Sequence, residues 1–98
     1  MSDKQQAVNI VLWAKQGCYY CQEIKDYLKE ENLSYELIDV TENDQFRDIL
    51  NAKYGVSYVP VVEIGQKNSK QYQGIIDLGL EHVVNGLKAA GIGVKQYD

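Results

Sequence analysis

The sequence predicts a small α/β domain built on a four-stranded mixed sheet, and three observations carry that expectation. First, apolar runs of strand length alternate with helix-period stripes in the order β-α-β, helix, β-β, helix. Second, a helical stripe separates the first two strand runs, which makes them parallel, whereas only the turn Gly65-Gln66-Lys67-Asn68-Ser69 separates the last two, which makes them an antiparallel hairpin. Third, the chain's 2 cysteines stand together as Cys18-Tyr19-Tyr20-Cys21, at the junction between the first strand and the first helix.

Residues 7–14 are almost uniformly apolar, as a central strand covered on both faces would be. Gln22 to Glu31 reads as an amphipathic helix. Cys21, Ile24 and Leu28 share its inward face, Tyr27 widens the stripe, and Glu23, Lys25, Asp26, Lys29 and Glu30 face water. Asn32 suits a left-handed stop. Ser34 to Val40 is the second strand. Thr41-Glu42-Asn43-Asp44 resembles a capping box opening a helix with Phe46, Ile49 and Leu50 on one side and Gly55 as terminator. Val59 to Ile64 is the third strand, and Lys70 to Gln73 pairs back as an edge. The last helix is expected to start near Asp77, a favoured N-cap residue, to bury Leu80, Val83, Val84 and Leu87, and to end at Gly91. A single domain spanning 1–98 is expected, with 1–6 and 92–98 as loose termini.

Composition narrows the function. A net charge of −4 without any block of Lys or Arg argues against general nucleic-acid or anionic-membrane binding. No apolar run approaches the roughly 20 residues that span a bilayer. Met1 to Gln6 carry no apolar signal stretch, so a reducing cytoplasm is the expected compartment. There a lone cysteine pair is more often catalytic or metal-binding than structural. Two cysteines and His82, expected at the surface of the last helix, fall short of the four ligands of a closed zinc site. The small size points to a monomer.

A two-residue spacing lets two sulfurs bond across one helical turn. The N-terminus of a helix carries partial positive charge and unpaired N–H groups, which favour thiolate over thiol. The thiolate is the species that attacks disulfides. Cys18, at the exposed start of the helix, is therefore the expected nucleophile. Cys21, on the inward face, is the expected resolving thiol, and the chemistry is thiol–disulfide exchange.

Three stretches then resemble the glutaredoxin family, in order and at the right distances. Trp13-Ala14-Lys15-Gln16-Gly17-Cys18 resembles its aromatic-x-Lys-x-x-Cys lead-in, Tyr58-Val59-Pro60 its Thr-Val-Pro segment, and Gly74-Ile75-Ile76-Asp77-Leu78 its Gly-x-x-Asp-Leu segment. Gly17 before Cys18 departs from thioredoxins, which usually carry a second tryptophan there. The resemblance implies a thioredoxin-like fold and a glutathione-dependent oxidoreductase with no tightly bound cofactor. In that scheme Cys18 attacks a protein disulfide or a glutathione mixed disulfide, Cys21 resolves it, and two glutathione molecules restore the dithiol. It further implies a cis peptide bond at Pro60, turning the backbone of Val59 toward the sulfurs. Lys15 and Tyr20 would lie beside bound glutathione, and Gly74, Ile76 and Asp77 would offer backbone N–H groups to its glutamyl carboxylate.

By the same analogy ribonucleotide reductase is one protein that would receive the electrons. Tyr19 stands where two-cysteine members usually carry proline, and Tyr58 where a small hydroxyl residue is usual. Ile75 and Ile76 replace residues that are commonly small or acidic. Two alternatives follow from these departures: an electron donor re-reduced by thioredoxin reductase, and an iron–sulfur cluster carrier.

Overall fold

Both faces of the first strand are covered, which is what its continuous apolar run demands. In the computed structural model, which describes residues 8–67 and 70–92, β1 (Val8–Ala14) is an interior strand of one four-stranded sheet. It pairs in parallel with β2 (Glu36–Asp39), Val11 opposite Glu36 and Ala14 opposite Asp39. On its other side it pairs antiparallel with β3 (Val61–Gln66), Trp13 opposite Val61 and Val11 opposite Glu63. The edge is β4 (Tyr72–Ile75), antiparallel to β3 with Glu63 opposite Gly74. The order β2-β1-β3-β4 gives the mixed sheet and thioredoxin-like arrangement expected above.

Side chains alternate across a sheet, so the register sorts the core. Ile10 and Leu12 share a face with Ile64 and Val62, under α1 (Tyr19–Glu30) and α3 (Leu80–Ala89), which pack on each other. Cys21, Ile24, Tyr27 and Leu28 of α1 and Leu80, Val83, Val84 and Leu87 of α3 are all buried, as their stripes predict. Gly86 lets α3 lie against Ile75, because a Cβ there would strike that side chain. The opposite face, with Trp13 and Glu63, receives α2 (Asp44–Tyr54). Asn32, Gly55 and Gly91 adopt positive φ just past the three helices, at 58°, 74° and 89°.

Several boundaries differ from expectation, each for a physical reason. α1 begins three residues early, at Tyr19, because Cys18 is itself the N-cap. β2 is shorter than the run Ser34–Val40, and β3 starts at Val61 because Pro60 has no N–H to give a ladder. β3 keeps Gly65 and Gln66, while Asn68 and Ser69 of the expected turn lie outside the described residues. Thr41 forms no capping box. Asn43 is the N-cap of α2, and the Thr41 hydroxyl is engaged elsewhere. Ile49 is 45% exposed, since α2 turns the line Phe46, Leu50 and Tyr54 to the sheet and leaves Ile49 on its flank.

The last helix starts at Leu80, with Gly79 as N-cap at φ 123°, so Asp77 does not cap it. Ile92 packs against the core and is not part of a loose tail. Residues 1–7 and 93–98 lie outside the described residues, and with them the expectation of loose ends. Among the described residues no helix is long and apolar enough to cross a membrane.

Candidate active site

β1 delivers the chain to the site, and four residues turn it into α1. Ala14 closes the strand, its carbonyl accepting the Val40 N–H at 2.9 Å. Gly17 then takes φ 77°, a left-handed conformation in which a Cβ is unfavourable, and Cys18 enters the N-cap. The loop is held from the β2 side. The Gln16 N–H donates to the Thr41 hydroxyl oxygen at 2.8 Å, while the Thr41 hydroxyl and N–H both donate to Asp39 Oδ1. Those two Thr41 bonds hold the Asp39 carboxyl below its ordinary value.

Cys18 is half-buried and Cys21 is buried, and their sulfurs are bonded to one another with a Cα–Cα distance of 5.2 Å, inside the disulfide range. The structure is therefore that of the oxidised form. The Cys21 N–H points at Cys18 Sγ at 3.2 Å, and no acidic residue occupies the first turn of α1. A helix N-terminus with a donated N–H at the sulfur is a setting that favours a thiolate over a thiol.

The remaining sequence-predicted residues divide into two groups. Lys15 is exposed in the loop before Cys18, and Tyr19 and Tyr20 are exposed after it, with ring centroids 6.1 Å apart. The Val59–Pro60 bond is cis and both residues are buried. Because Val61 pairs with Trp13, residues 58–60 run beside the end of β1 from which the cysteine loop springs. Tyr58 remains 42% exposed there, although Ser57 is pinned to α2 through Arg47 to its carbonyl and Asn51 to its hydroxyl. Ile76, half-buried, and Asp77, exposed, leave β4 at this same end of the sheet.

Gly74 does not belong to a helix N-terminus. It lies within β4 beneath the Tyr54 ring, which occupies the space a Cβ would need. The free N–H groups of α3 begin at Leu80, so residues 74–77 lead into that helix start and do not form it. His82 is partly exposed, 3.7 Å from the Glu81 carboxylate.

Sequence reasoning missed Glu63, read only as part of a strand. It is 3% exposed, yet charged. Its Oε1 accepts the Trp13 indole N–H at 2.7 Å, and Oε2 accepts the Lys53 ammonium at 2.6 Å and the Tyr54 hydroxyl. Burial pushes the Glu63 carboxyl up, but these three donors and the Lys53 charge pull it further down, so it stays ionised. Burial, then the bond and charge of Glu63, push Tyr54 above its ordinary value. Lys53 also lies over the Trp13 ring, 5.8 Å from its centroid. One signal was legible: a single acid inside the otherwise apolar run Val59–Ile64.

Comparison with known proteins agrees with this geometry. The family model described as glutaredoxin matches residues 10–68. An N-acetyl-S-hydroxy-L-cysteine reductase of Bacillus subtilis (strain 168) is 55% identical over 83 residues, covering 85% of this chain and 84% of that protein. Reduced glutaredoxin C1 from Populus tremula x tremuloides superposes with a TM-score of 0.61 at 27% identity, over 83% of this chain and 65% of that one. Glutaredoxin 1 from Francisella tularensis gives 0.62 at 21% identity, over 87% and 99%, a likeness of fold alone. The bonded Cys18–Cys21 pair at the start of α1 is consistent with a Cys-x-x-Cys active site, and the chain belongs to the glutaredoxin family of thiol oxidoreductases.

Proposed function

We propose that this chain reduces oxidised sulfur on a small cysteine derivative, an S-hydroxycysteine, with Cys18 as nucleophile and Cys21 as resolving thiol. The observation that carries the reading is the half-buried Cys18 at the start of α1, its sulfur bonded to a buried Cys21 and facing the Cys21 N–H. The substrate class is supported by the relative that is 55% identical to this chain over 83 residues.

The Cys18 thiolate attacks the substrate sulfur. The S–O bond breaks, hydroxide takes a proton and leaves as water, and a Cys18–substrate disulfide forms. Cys21 then attacks Cys18, the substrate departs as its thiol, and the Cys18–Cys21 disulfide remains. Two electrons have passed from the dithiol to the substrate sulfur. Two external thiols return them, becoming one disulfide.

A second reading keeps the same two cysteines but takes glutathione as the reducing thiol, with protein disulfides and glutathione mixed disulfides as substrates. What supports it is the cis Val59–Pro60 segment beside the cysteine loop, together with exposed Lys15 and Tyr20 on either side of Cys18. The setting for either reading is a monomer in a reducing cytoplasm.

The test uses wild type, Cys18→Ser and Cys21→Ser with N-acetylcysteine oxidised in situ to its sulfenic acid. Cys21→Ser is expected to stop at a Cys18–N-acetylcysteine adduct visible by mass spectrometry, Cys18→Ser to form none, and wild type to release N-acetylcysteine. Absence of the adduct rejects the first reading. NADPH consumption through glutathione and its reductase, with a glutathionylated peptide as substrate, decides the second. There Cys21→Ser retains activity on the mixed disulfide and loses it on protein disulfides, whereas turnover with thioredoxin reductase alone rejects glutathione dependence.

A further inference from the structure

A carboxylate buried in the middle strand of a small sheet is costly. Its three donors offset that cost, but apolar residues of similar volume generally pack such a place as well or better. The placement of the donors shows what Glu63 adds. Trp13, from β1, stands five residues before Cys18 on a strand that ends one residue later. Lys53 and Tyr54 come from the last turn of α2. Earlier on that helix, Arg47 and Asn51 hold Ser57, at the head of the segment that leads through Tyr58 and Val59 to cis Pro60. Phe46 of the same helix meets the Trp13 ring edge-on, with centroids 6.4 Å apart.

One helix thus carries the 57–60 segment, one strand carries the cysteine loop, and Glu63 is bonded to both. Neither connection has much slack. The Cys18 loop is four residues long and is fixed at Gln16 by Thr41, while Ser57 is held through both its carbonyl and its hydroxyl.

We propose that Glu63 is a positioning residue for the thiol reaction: by joining Trp13 to Lys53 and Tyr54 it sets the spacing between the Cys18 loop and the 57–60 segment that faces an incoming disulfide. This role is independent of which oxidised sulfur compound is the natural substrate. It acts on the approach of the substrate, whereas the hydrogen bond at the Cys18 sulfur comes from the Cys21 N–H on α1.

The two effects separate in one experiment on reduced protein. Glu63→Leu fills the buried place without charge and frees Lys53, already half-exposed, and the Tyr54 hydroxyl to reach water. It is expected to unfold in urea somewhat more easily than wild type, because the buried Trp13 indole N–H loses its acceptor, yet to stay folded without denaturant and to alkylate at Cys18 with iodoacetamide within about twofold of the wild-type rate. Single-turnover reduction of bis(2-hydroxyethyl) disulfide should nevertheless fall about tenfold, since small misplacements of reacting groups cost that much or more. Glu63→Gln, which keeps an acceptor oxygen for the indole, should recover most of the rate. A wild-type disulfide-reduction rate in Glu63→Leu overturns the proposal, and so does an equal fall in alkylation, which would mean that the loop itself had been lost. Should Glu63→Leu not fold, Trp13→Phe, which leaves both α2 donors in place, is expected to show the same tenfold split. A folded Trp13→Phe with wild-type kinetics is equally fatal.

Discussion

The backbone N–H of Cys21 lies 3.2 Å from the sulfur of Cys18, across the first turn of α1. The bond belongs to the backbone, so it survives replacement of the Cys21 side chain. Cys21→Ser therefore isolates the nucleophile with its electrostatic setting intact: a helix terminus, a donated N–H and no carboxylate in the first turn. In that variant the ultraviolet absorbance of the thiolate should titrate with a midpoint below the free-thiol value of about 8.5, and iodoacetamide should modify Cys18 readily at neutral pH. A midpoint at or above that value removes the basis for calling Cys18 the attacking sulfur.

Gly74 bears on a second outcome. A methyl group there would run into the Tyr54 ring, and the ring cannot swing away freely because its hydroxyl is bonded to buried Glu63. Alanine ordinarily gains about 0.4–1 kcal/mol over glycine by restricting the unfolded chain. Overpacking costs about 1–3 kcal/mol, and with the ring tethered the cost wins. Gly74→Ala should thus lower the urea midpoint, by a net of about 1–2 kcal/mol in unfolding free energy. Unchanged or raised stability would show that the ring yields, and that Gly74 is not needed for packing.

What was legible in the sequence was whatever depends on neighbours along the chain. The stripe Cys21, Ile24, Tyr27 and Leu28 is buried because helical spacing alone puts those residues on one side, and Asn32 and Gly55 end helices through their own backbone freedom. The Cys18–Cys21 pair could be read for the same reason, since both sulfurs lie within one turn. What stayed hidden depends on partners brought together by the sheet. Glu63 meets Trp13 from 50 positions away, and although it stands as a lone acid in an apolar run, nothing local names the partners that hold it. Thr41 carried a capping signal, but its hydroxyl is committed to Asp39 and to the Gln16 N–H across the β1–β2 pair. Gly74 matched a family segment, yet register opposite Glu63 set it under Tyr54.

The Glu63 cluster also sets how stability depends on pH, and the direction follows from the two shifts. Burial opposes the Glu63 charge, but the bonds from Lys53, Tyr54 and Trp13 and the Lys53 charge outweigh it, so the folded carboxyl titrates below its unfolded counterpart. A depressed acid stabilises the fold fully above the unfolded value of about 4.3, and that stabilisation disappears as pH falls through the lower folded value. Asp39, depressed by its Thr41 bonds, adds to the same acid limb. Tyr54 runs the other way. Burial and the adjoining Glu63 raise its folded value, so its contribution is complete below about 10 and is lost as pH climbs beyond that. Urea unfolding should therefore show a plateau from about pH 5 to about pH 9, with a decline on each side. In Glu63→Leu the acid limb should shrink to the part owed to Asp39 and other carboxylates, and the alkaline limb should weaken because Tyr54 no longer faces an anion. An acid limb of the same depth in wild type and Glu63→Leu would show that the buried carboxylate is not what the native state loses on protonation.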